Sequence, residues 1–127
     1  AGTGKTTSLR TVANIYQRAG HQVIGMSLSA SASDNLGKEA RIDSETLAKW
    51  LVRWRSYEQA KDKLLSFESM VSEGLLKQLD WYRNLNQFKR FALTDNHVVI
   101  VDEAGMIGTQ NWQELQHYIV KSGAKLI

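Results

Sequence analysis

The sequence predicts an α/β fold in which helices cover both faces of a parallel β-sheet. Stretches with a helical apolar period alternate along the chain with short apolar stretches typical of strands. Residues 98–101 are all β-branched and apolar, as expected of a parallel strand that is buried on both faces. The first seven residues, Ala-Gly-Thr-Gly-Lys-Thr-Thr, form a glycine-rich segment directly before a helical pattern.

The composition is that of an ordinary globular protein of at most one domain. A chain of 127 residues with 43% hydrophobic and 23% charged residues can bury one core. No apolar run is long enough to span a bilayer, so no membrane partner is predicted. The absence of cysteine excludes disulfides and thiolate metal sites, and it favours a cytoplasmic location. The net charge of +3 permits contact with nucleic acid without indicating it.

The first half of the chain predicts one helix and one strand before a longer helical region. Apolar side chains recur on one helical face over residues 5–19. Residues 23–26 indicate a short buried strand. Residues 27–33 are small and polar, and they are predicted to form a loop. Ser44 is expected to cap the next helix, with Glu45 in its first turn.

A helical hairpin is predicted in the middle of the chain, as an insertion over about residues 45–94. The first helix is expected to extend to about residue 72. Gly74 then interrupts the helical pattern, and a second helix is predicted over residues 75–93. Two successive helices with a short connection favour an antiparallel pair.

The last third of the chain returns to strand and helix alternation. Residues 95–96 predict a turn before the apolar strand at 98–101. Thr109 can cap a helix that ends at Gly123. A further strand is predicted to start at residue 125.

The N-terminal segment matches the second half of the phosphate-loop pattern G-x-x-x-x-G-K-[ST]. The first glycine of that pattern would lie two residues before Ala1. Glycines let backbone N–H groups approach phosphate oxygens, and the following helix directs its positive end to the same place. Lys5 is predicted to act catalytically as a charge on the β- and γ-phosphates, and the Thr6 hydroxyl to ligate Mg²⁺. The predicted residues for ATP are Gly2, Thr3, Gly4, Lys5, Thr6 and Thr7.

Two acidic residues end the apolar strand at 98–101, in the arrangement known as Walker B. Asp102 is predicted to hold Mg²⁺, mainly through water, and Glu103 to orient and deprotonate the attacking water. Taken alone, the glycine-rich segment also fits an ordinary turn before a helix, and the acidic pair also fits a strand that ends in solvated acids. The two motifs in this order favour a three-layer P-loop NTPase fold with a partial parallel sheet and with ATP and Mg²⁺ as cofactors.

Three stretches carry a resemblance to a known family. They are residues 1–7, residues 23–50 with Ile-Asp-Ser-Glu-Thr-Leu-Ala-Lys-Trp at its end, and residues 98–106 with Asp-Glu-Ala-Gly-Met, followed by residues 122–127. The sequence resembles the RecD-like branch of superfamily 1 helicases, and most of all the helicase segment of TraA-type conjugative transfer relaxases. The resemblance implies a RecA-like fold and ATP hydrolysis coupled to movement along single-stranded DNA in plasmid transfer.

The same resemblance sets expectations about partners. In that family the segment after the second strand contacts DNA and contains a glycine followed by a basic residue. The corresponding residues 29–33 read Ser-Ala-Ser-Ala-Ser, without a basic residue, so only serine hydroxyls are offered to phosphates. The domain over residues 1–127 is expected to be incomplete at both ends. Its partners are then single-stranded DNA, contacted through a parent protein, and the remaining motor and relaxase domains of that parent, without which no unwinding is expected.

Two groups of side chains have both an ordinary and a functional interpretation. Three tryptophans at helical spacing are predicted to be core residues rather than base-stacking platforms, namely Trp50, Trp54 and Trp81. Three basic residues are predicted to lie on a solvated helix face rather than a DNA path, namely Lys49, Arg53 and Arg55.

Two other functions stay open from the sequence. One is a different P-loop protein, such as a small-molecule kinase or an AAA-type ATPase, and an Asp-Gln motif encoded after Ile127 would decide against it. The other is a remnant of a split or decayed gene that folds without activity.

Overall fold

A computed structural model describes the backbone of residues 2–127 and the side chains of residues 9–66, 71–72 and 74–127. Its four strands form one parallel sheet in the order β2-β1-β3-β4. The strands are β1 (Gln22–Ser27), β2 (Asp43–Thr46), β3 (His97–Val101) and β4 (Lys125–Leu126). The α-helices are α1 (Gly2–Arg18), α2 (Ala30–Ala40), α3 (Leu47–Leu65), α4 (Phe67–Lys89) and α5 (Thr109–Ser122). The predicted α/β fold with a parallel sheet is confirmed.

The chain divides into two compact units. The sheet unit contains the residues up to Trp50 together with Leu93–Ile127, and the helical unit contains Leu51–Ala92. The proposed insertion over residues 45–94 contains the helical unit entirely. No helix in the described part of the chain combines the length and apolar character required to cross a bilayer.

One face of the sheet carries a core cluster built with α1 and α2. The cluster consists of Ala13, Val23, Leu36, Ala40, Val98 and Ile100. Because side chains alternate along a strand, the odd-numbered residues of β1 and the even-numbered residues of β3 share this face. A Cβ atom at Gly25 would lie 2.9 Å from side-chain atoms of both Leu36 and Ile42, so α2 packs directly on β1.

Residues 27–33 were predicted to be a loop, and this is wrong for most of them. The strand β1 extends to Ser27, and α2 begins at Ala30. Ser29 caps the helix because its Oγ atom accepts a hydrogen bond from the Ala32 N–H group at 3.1 Å. Only a few buried residues mark the inner face of α2, so the apolar period that reveals a helix is weak there.

Ser44 was predicted to cap a helix, and it lies instead in β2. It pairs with Gly25 in the parallel register between β1 and β2. The helix begins three residues later, where the Thr46 Oγ1 atom accepts a hydrogen bond from the Lys49 N–H group at 3.2 Å. Serine and threonine are both good capping residues, and the pairing of β2 with β1 decides which of them takes that role.

The first helix was predicted to start at about residue 5, and its helical backbone begins at Gly2. Glycine has no Cβ and enters helical and turn conformations alike, so Gly2 and Gly4 do not fix where the helix begins.

The helical unit is an antiparallel hairpin, as predicted. The Trp54 Nε1–H group donates to the Phe91 carbonyl at 2.9 Å, and the Lys63 ammonium lies 5.7 Å from the centre of the Trp81 ring. Later residues of α3 therefore meet earlier residues of α4. The first helix ends at Leu65, earlier than the predicted residue 72, while the interruption at Gly74 is confirmed by its φ of 84° and ψ of 175°.

The remaining predicted elements are confirmed with small shifts. The two apolar runs form β1 and β3, and the last strand is β4. The helix that ends at Gly123 buries Leu115 and Ile119. Its N-cap is Gly108 rather than Thr109, which is the first residue of the helix.

Candidate nucleotide-binding site

Asp102 lies at the carboxyl end of β3 and still belongs to the hydrogen-bonded ladder. Its backbone N–H group donates to the Met26 carbonyl at 2.9 Å, one step beyond the paired residues Met26 and Val101. Alternation places the half-buried Asp102 on the same face as Val98 and Ile100. That face is the one covered by α1, so the carboxylate side chain belongs to the layer between β3 and α1.

The N-terminal end of α1 lies at the same edge of the sheet. The helix packs on this face through Ala13, with Leu9 and Tyr16 against the cluster. Three residues then connect it to β1, and the His21 N–H group donates to the Tyr16 carbonyl at 3.0 Å. The helix runs opposite to the strands it covers, and its first turn therefore lies at their carboxyl ends, where open α/β sheets bind ligands.

The predicted phosphate-binding side chains lie outside the described side chains. This applies to Gly2, Thr3, Gly4, Lys5, Thr6 and Thr7, and their roles stay predictions. Their backbone forms the first turns of α1, whose N–H groups and positive dipole end favour an anion.

Glu103 has an unusual backbone conformation for its residue type. Its φ of 57° and ψ of 42° are left-handed, and it is followed by a short 3₁₀ turn at Ala104–Met106. Such a conformation costs a residue with a side chain about 1–2 kcal/mol. Strained residues of this kind concentrate at functional sites. The Glu103 side chain is exposed to solvent, as access to a water molecule requires.

Ser27 was assigned to a loop in the sequence analysis, and its position at this site was missed. It follows Met26 in β1 as Asp102 follows Val101 in β3, so the two residues are neighbours on adjacent strands. The Ser27 side chain is 1% exposed, and its Oγ atom has no hydrogen-bond partner. No local sequence pattern identifies it, because its neighbour at the site comes from a strand much later in the chain.

The oxygen donors at this edge fit Mg²⁺ bound together with phosphates. Within the described residues no group of three or more histidine, aspartate or glutamate side chains could hold a metal ion by itself. Mg²⁺ usually takes one or two protein oxygen ligands and completes its shell with water and substrate phosphates. The carboxylate of Asp102 and the buried unbonded hydroxyl of Ser27 are suited to such a site.

A cavity of about 380 Å³ opens beside the N-terminal end of α2. It is lined by Ala30, Ser31, Ser33, Asp34, Glu45, Thr46 and Lys49. Two serines of this segment are already engaged: Ser29 caps the helix, and the Ser33 hydroxyl donates to the Ala30 carbonyl at 3.0 Å. Ser33 thus uses its hydroxyl proton, whereas the exposed Ser29 only accepts, so the protons of Ser29 and of the exposed Ser31 are the ones that these bonds leave for a phosphate.

The functional interpretation of the tryptophans and basic residues is not supported by their packing. Trp50 and Trp54 are each 3% exposed, which confirms their prediction as core residues, whereas Trp81 is only half-buried, so the same prediction is not confirmed for it. The Trp50 Nε1–H group donates to the Gly25 carbonyl at 3.0 Å. Lys49 forms an ion pair with Glu45 at 3.3 Å, and the Arg53 guanidinium lies 3.9 Å from the centre of the Phe91 ring.

His97 starts β3 at the opposite end from Asp102 and is a structural residue. Its side chain is 6% exposed, and its Nδ1 atom accepts a hydrogen bond from the Thr94 N–H group at 3.0 Å. Burial lowers the pKa of His97 from its usual 6.5. The imidazole is therefore neutral at pH 7.

Comparison with known proteins places these observations in a family. A family model described as "AAA domain" matches residues 1–127. The chain belongs to this AAA domain family. Over all 127 residues it is 32% identical to a "Probable conjugal transfer protein TraA" of Sinorhizobium fredii and 29% identical to a "Conjugal transfer protein TraA" of Agrobacterium fabrum.

These relatives confirm the resemblance to TraA-type proteins that the sequence motifs indicated. The AAA domain spans 9% of the length of the relatives it matches. No solved structure matches it. The family description, an AAA domain, also fits the AAA-type protein that the sequence left open as an alternative.

Proposed function

We propose that the chain is the ATP-binding and ATP-hydrolysing motor segment of a DNA helicase of the conjugative relaxase type. One observation carries the proposal. Asp102 and Glu103 directly follow a buried parallel strand, Asp102 is on the face covered by α1, and the backbone of the first turn of α1 lies at the same edge of the sheet. This arrangement supports a shared site for the phosphate and acid motifs, because ligands of open α/β sheets bind at the carboxyl ends of the strands.

The residues divide the chemistry of phosphate hydrolysis between them. Backbone N–H groups at the start of α1 bind phosphate oxygens, and Lys5 compensates the negative charge of the β- and γ-phosphates. Thr6 and Asp102 would hold Mg²⁺, which would neutralise charge on the phosphate oxygens. Glu103 orients the attacking water and accepts its proton. The left-handed backbone at Glu103 turns the chain sharply after Asp102, so the two acidic side chains can take different roles.

The proposed partners follow from the relatives rather than from the fold. Relatives that match along the whole chain carry names of conjugal transfer proteins. We infer that a longer protein, in the cytoplasm, uses this segment to move along single-stranded DNA during transfer of a plasmid or mobile element. The remaining motor and relaxase domains of that protein are then the direct partners.

Nucleotide binding is the first test. Thermal unfolding of the 127-residue protein with Mg²⁺ and ATP should give a higher Tm than without nucleotide, because a ligand that binds only the folded state stabilises it. The Lys5→Ala variant should lose this shift. Lys38→Ala, an exposed lysine in the last turn of α2, is the matched control and should keep it. A wild-type protein that unfolds cooperatively and shows no shift contradicts the proposal and supports an inactive remnant.

An AAA-type ATPase that does not act on DNA is the second candidate, since membership of an AAA domain family fits it as well. ATP hydrolysis by the longer protein separates the two functions. Stimulation by single-stranded DNA that disappears in Lys5→Ala supports the motor. Hydrolysis that is unchanged by DNA supports the second candidate.

A further inference from the structure

Among the side chains that the structure describes, two buried hydroxyl groups in the sheet have no hydrogen-bond partner, and they differ in position. They are the Oγ atoms of Ser27 and Ser44. A buried hydroxyl that makes no hydrogen bond destabilises the folded state by about 1–3 kcal/mol. Ser44 lies beside Gly25 in the interior of the sheet face, whereas Ser27 lies at its carboxyl end. Only Ser27 is therefore beside a residue of the proposed nucleotide site.

The neighbour of Ser27 is Asp102. The ladder between β1 and β3 pairs Met26 with Val101, and the Asp102 N–H group bonds the Met26 carbonyl. One residue further, Ser27 and Asp102 face each other on strands that lie about 4.8 Å apart. Alternation places both side chains on the face covered by α1. A hydroxyl at this distance can donate to a carboxylate oxygen after a rotation about a single bond.

We propose that Ser27 is a positioning residue for Asp102, and the proposal rests on the proposed function. When Mg²⁺ and nucleotide bind, the Ser27 hydroxyl donates to one carboxylate oxygen of Asp102. The other oxygen is then held toward the water shell of the metal. Hydrogen bonds to a charged acceptor are stronger than neutral ones, and groups that orient a metal ligand change metal affinity 10- to 100-fold.

This role predicts opposite effects on stability and on binding. In the absence of ligand, Ser27→Ala removes a hydroxyl that has no partner, so the Tm should stay equal or rise. In the presence of nucleotide, the same variant should bind Mg²⁺ about tenfold more weakly, because the Asp102 carboxylate loses its donor. A serine that only supports the fold would give a lower Tm and an unchanged affinity for Mg²⁺.

Ser44→Ala is the matched control. It removes the second unbonded buried hydroxyl from the same face of the sheet, one strand further from Asp102. Its Tm without ligand should respond as in Ser27→Ala, and its affinity for Mg²⁺ should equal that of the wild type. If both variants lose affinity for Mg²⁺ tenfold, the proposal is overturned, because the loss would then come from a change in the whole sheet rather than from the position of Ser27.

The decisive experiment is a double-mutant cycle for Mg²⁺ binding. The dissociation constant for Mg²⁺ is measured by calorimetric titration of the ADP-bound 127-residue protein, for wild type, Ser27→Ala, Asp102→Asn and the double variant. If Ser27 acts through Asp102, the double variant binds as weakly as Asp102→Asn alone. If the two substitutions instead raise the dissociation constant for Mg²⁺ by factors that multiply in the double variant, the two residues act independently and the proposal is overturned.

Failure of the inference and failure of the proposed function remain distinguishable. A wild-type protein that binds ADP with Mg²⁺, and a Ser27→Ala variant that binds Mg²⁺ with the same affinity, overturn the inference alone. A wild-type protein that binds no nucleotide overturns both.

Discussion

The sheet unit and the helical unit bury their large apolar residues to different degrees. In the sheet unit Met26, Val99 and Leu115 are completely buried. In the helical unit Leu65 and Leu76 are 74% and 82% exposed. A parallel sheet covered on both faces hides nearly every strand residue, while a two-helix hairpin hides only the seam between its helices. The stability of the two units therefore depends on different kinds of contact.

Charge is also distributed unequally between the units. The chain has 16 basic and 13 acidic residues, and the helical unit contains eight of the basic and five of the acidic ones. The sheet unit then contains eight of each and is formally neutral, so the net charge of +3 lies in the helical unit. The proposed nucleotide site is in the neutral unit. Its preference for phosphate must therefore come from local groups, such as Lys5 and the first turn of α1, rather than from an overall positive field.

The test of this comparison with the largest expected effect is a matched pair of leucine variants. Leu115→Ala in the sheet unit should lower the free energy of unfolding by about 2–5 kcal/mol, because it opens a cavity in a packed core. Leu76→Ala in the helical unit should change it by less than about 0.5 kcal/mol. Urea unfolding followed by circular dichroism measures both. Equal losses would mean that Leu76 is buried in solution and that the two units do not differ in this way.

A test with a smaller expected effect uses two residues with unusual backbone conformations, one in each unit. Gly74 in the helical unit has a φ of 84° and a ψ of 175°, a region that only glycine adopts freely, so Gly74→Ala should destabilise by about 1–3 kcal/mol. Glu103 in the sheet unit has a left-handed backbone, so Glu103→Gly should stabilise by about 1 kcal/mol. Thermal unfolding reports both signs. Two changes of the same sign would contradict the backbone assignment at one of these positions.

The effect of pH provides the third test, and it concerns the sheet unit alone. Because burial lowers the pKa of His97 in the folded state, the unfolded chain binds a proton more readily below pH 6.5. The contribution of His97 is complete above that pH and decreases as the pH falls toward its folded-state pKa. The Tm should therefore fall between pH 7 and pH 5.5. His97→Asn keeps an acceptor for the Thr94 N–H group and should reduce this slope, whereas an identical slope would exclude His97 as its source.

Those parts of the fold with a local signal could be predicted from the sequence. The β-branched run of β3 and the helical period of α5 identify themselves through their own residues. The strand β2 has the polar sequence Asp-Ser-Glu-Thr and is a strand only because its backbone pairs with β1. The helix α2 is also largely polar, and the Ser29 cap and the sheet contact at Gly25 together define it.

The same distinction between local patterns and distant pairing applies to the residues of the candidate site. The positions of Asp102 and Glu103 after an apolar strand were readable from the sequence, because strand ends and acidic pairs are both local patterns. The role of Ser27 was not, since its burial and its neighbour depend on a pairing with residues about 75 positions later. The left-handed backbone at Glu103 was equally hidden, because glutamate has no preference for that conformation.

The hydrogen bond between the Trp54 indole and the Phe91 carbonyl has a consequence for the rate of folding. It joins residues 37 positions apart inside the helical unit, whose helix contacts form locally and therefore early. Once it has formed, the ends of the hairpin are held together, and the chain between β1 and β3 behaves as a much shorter loop. The entropy lost in closing a loop grows with its length. Halving the loop in this way lowers its closing cost by about 0.6 kcal/mol, so weakening the Trp54 bond should slow formation of the sheet by about two- to threefold.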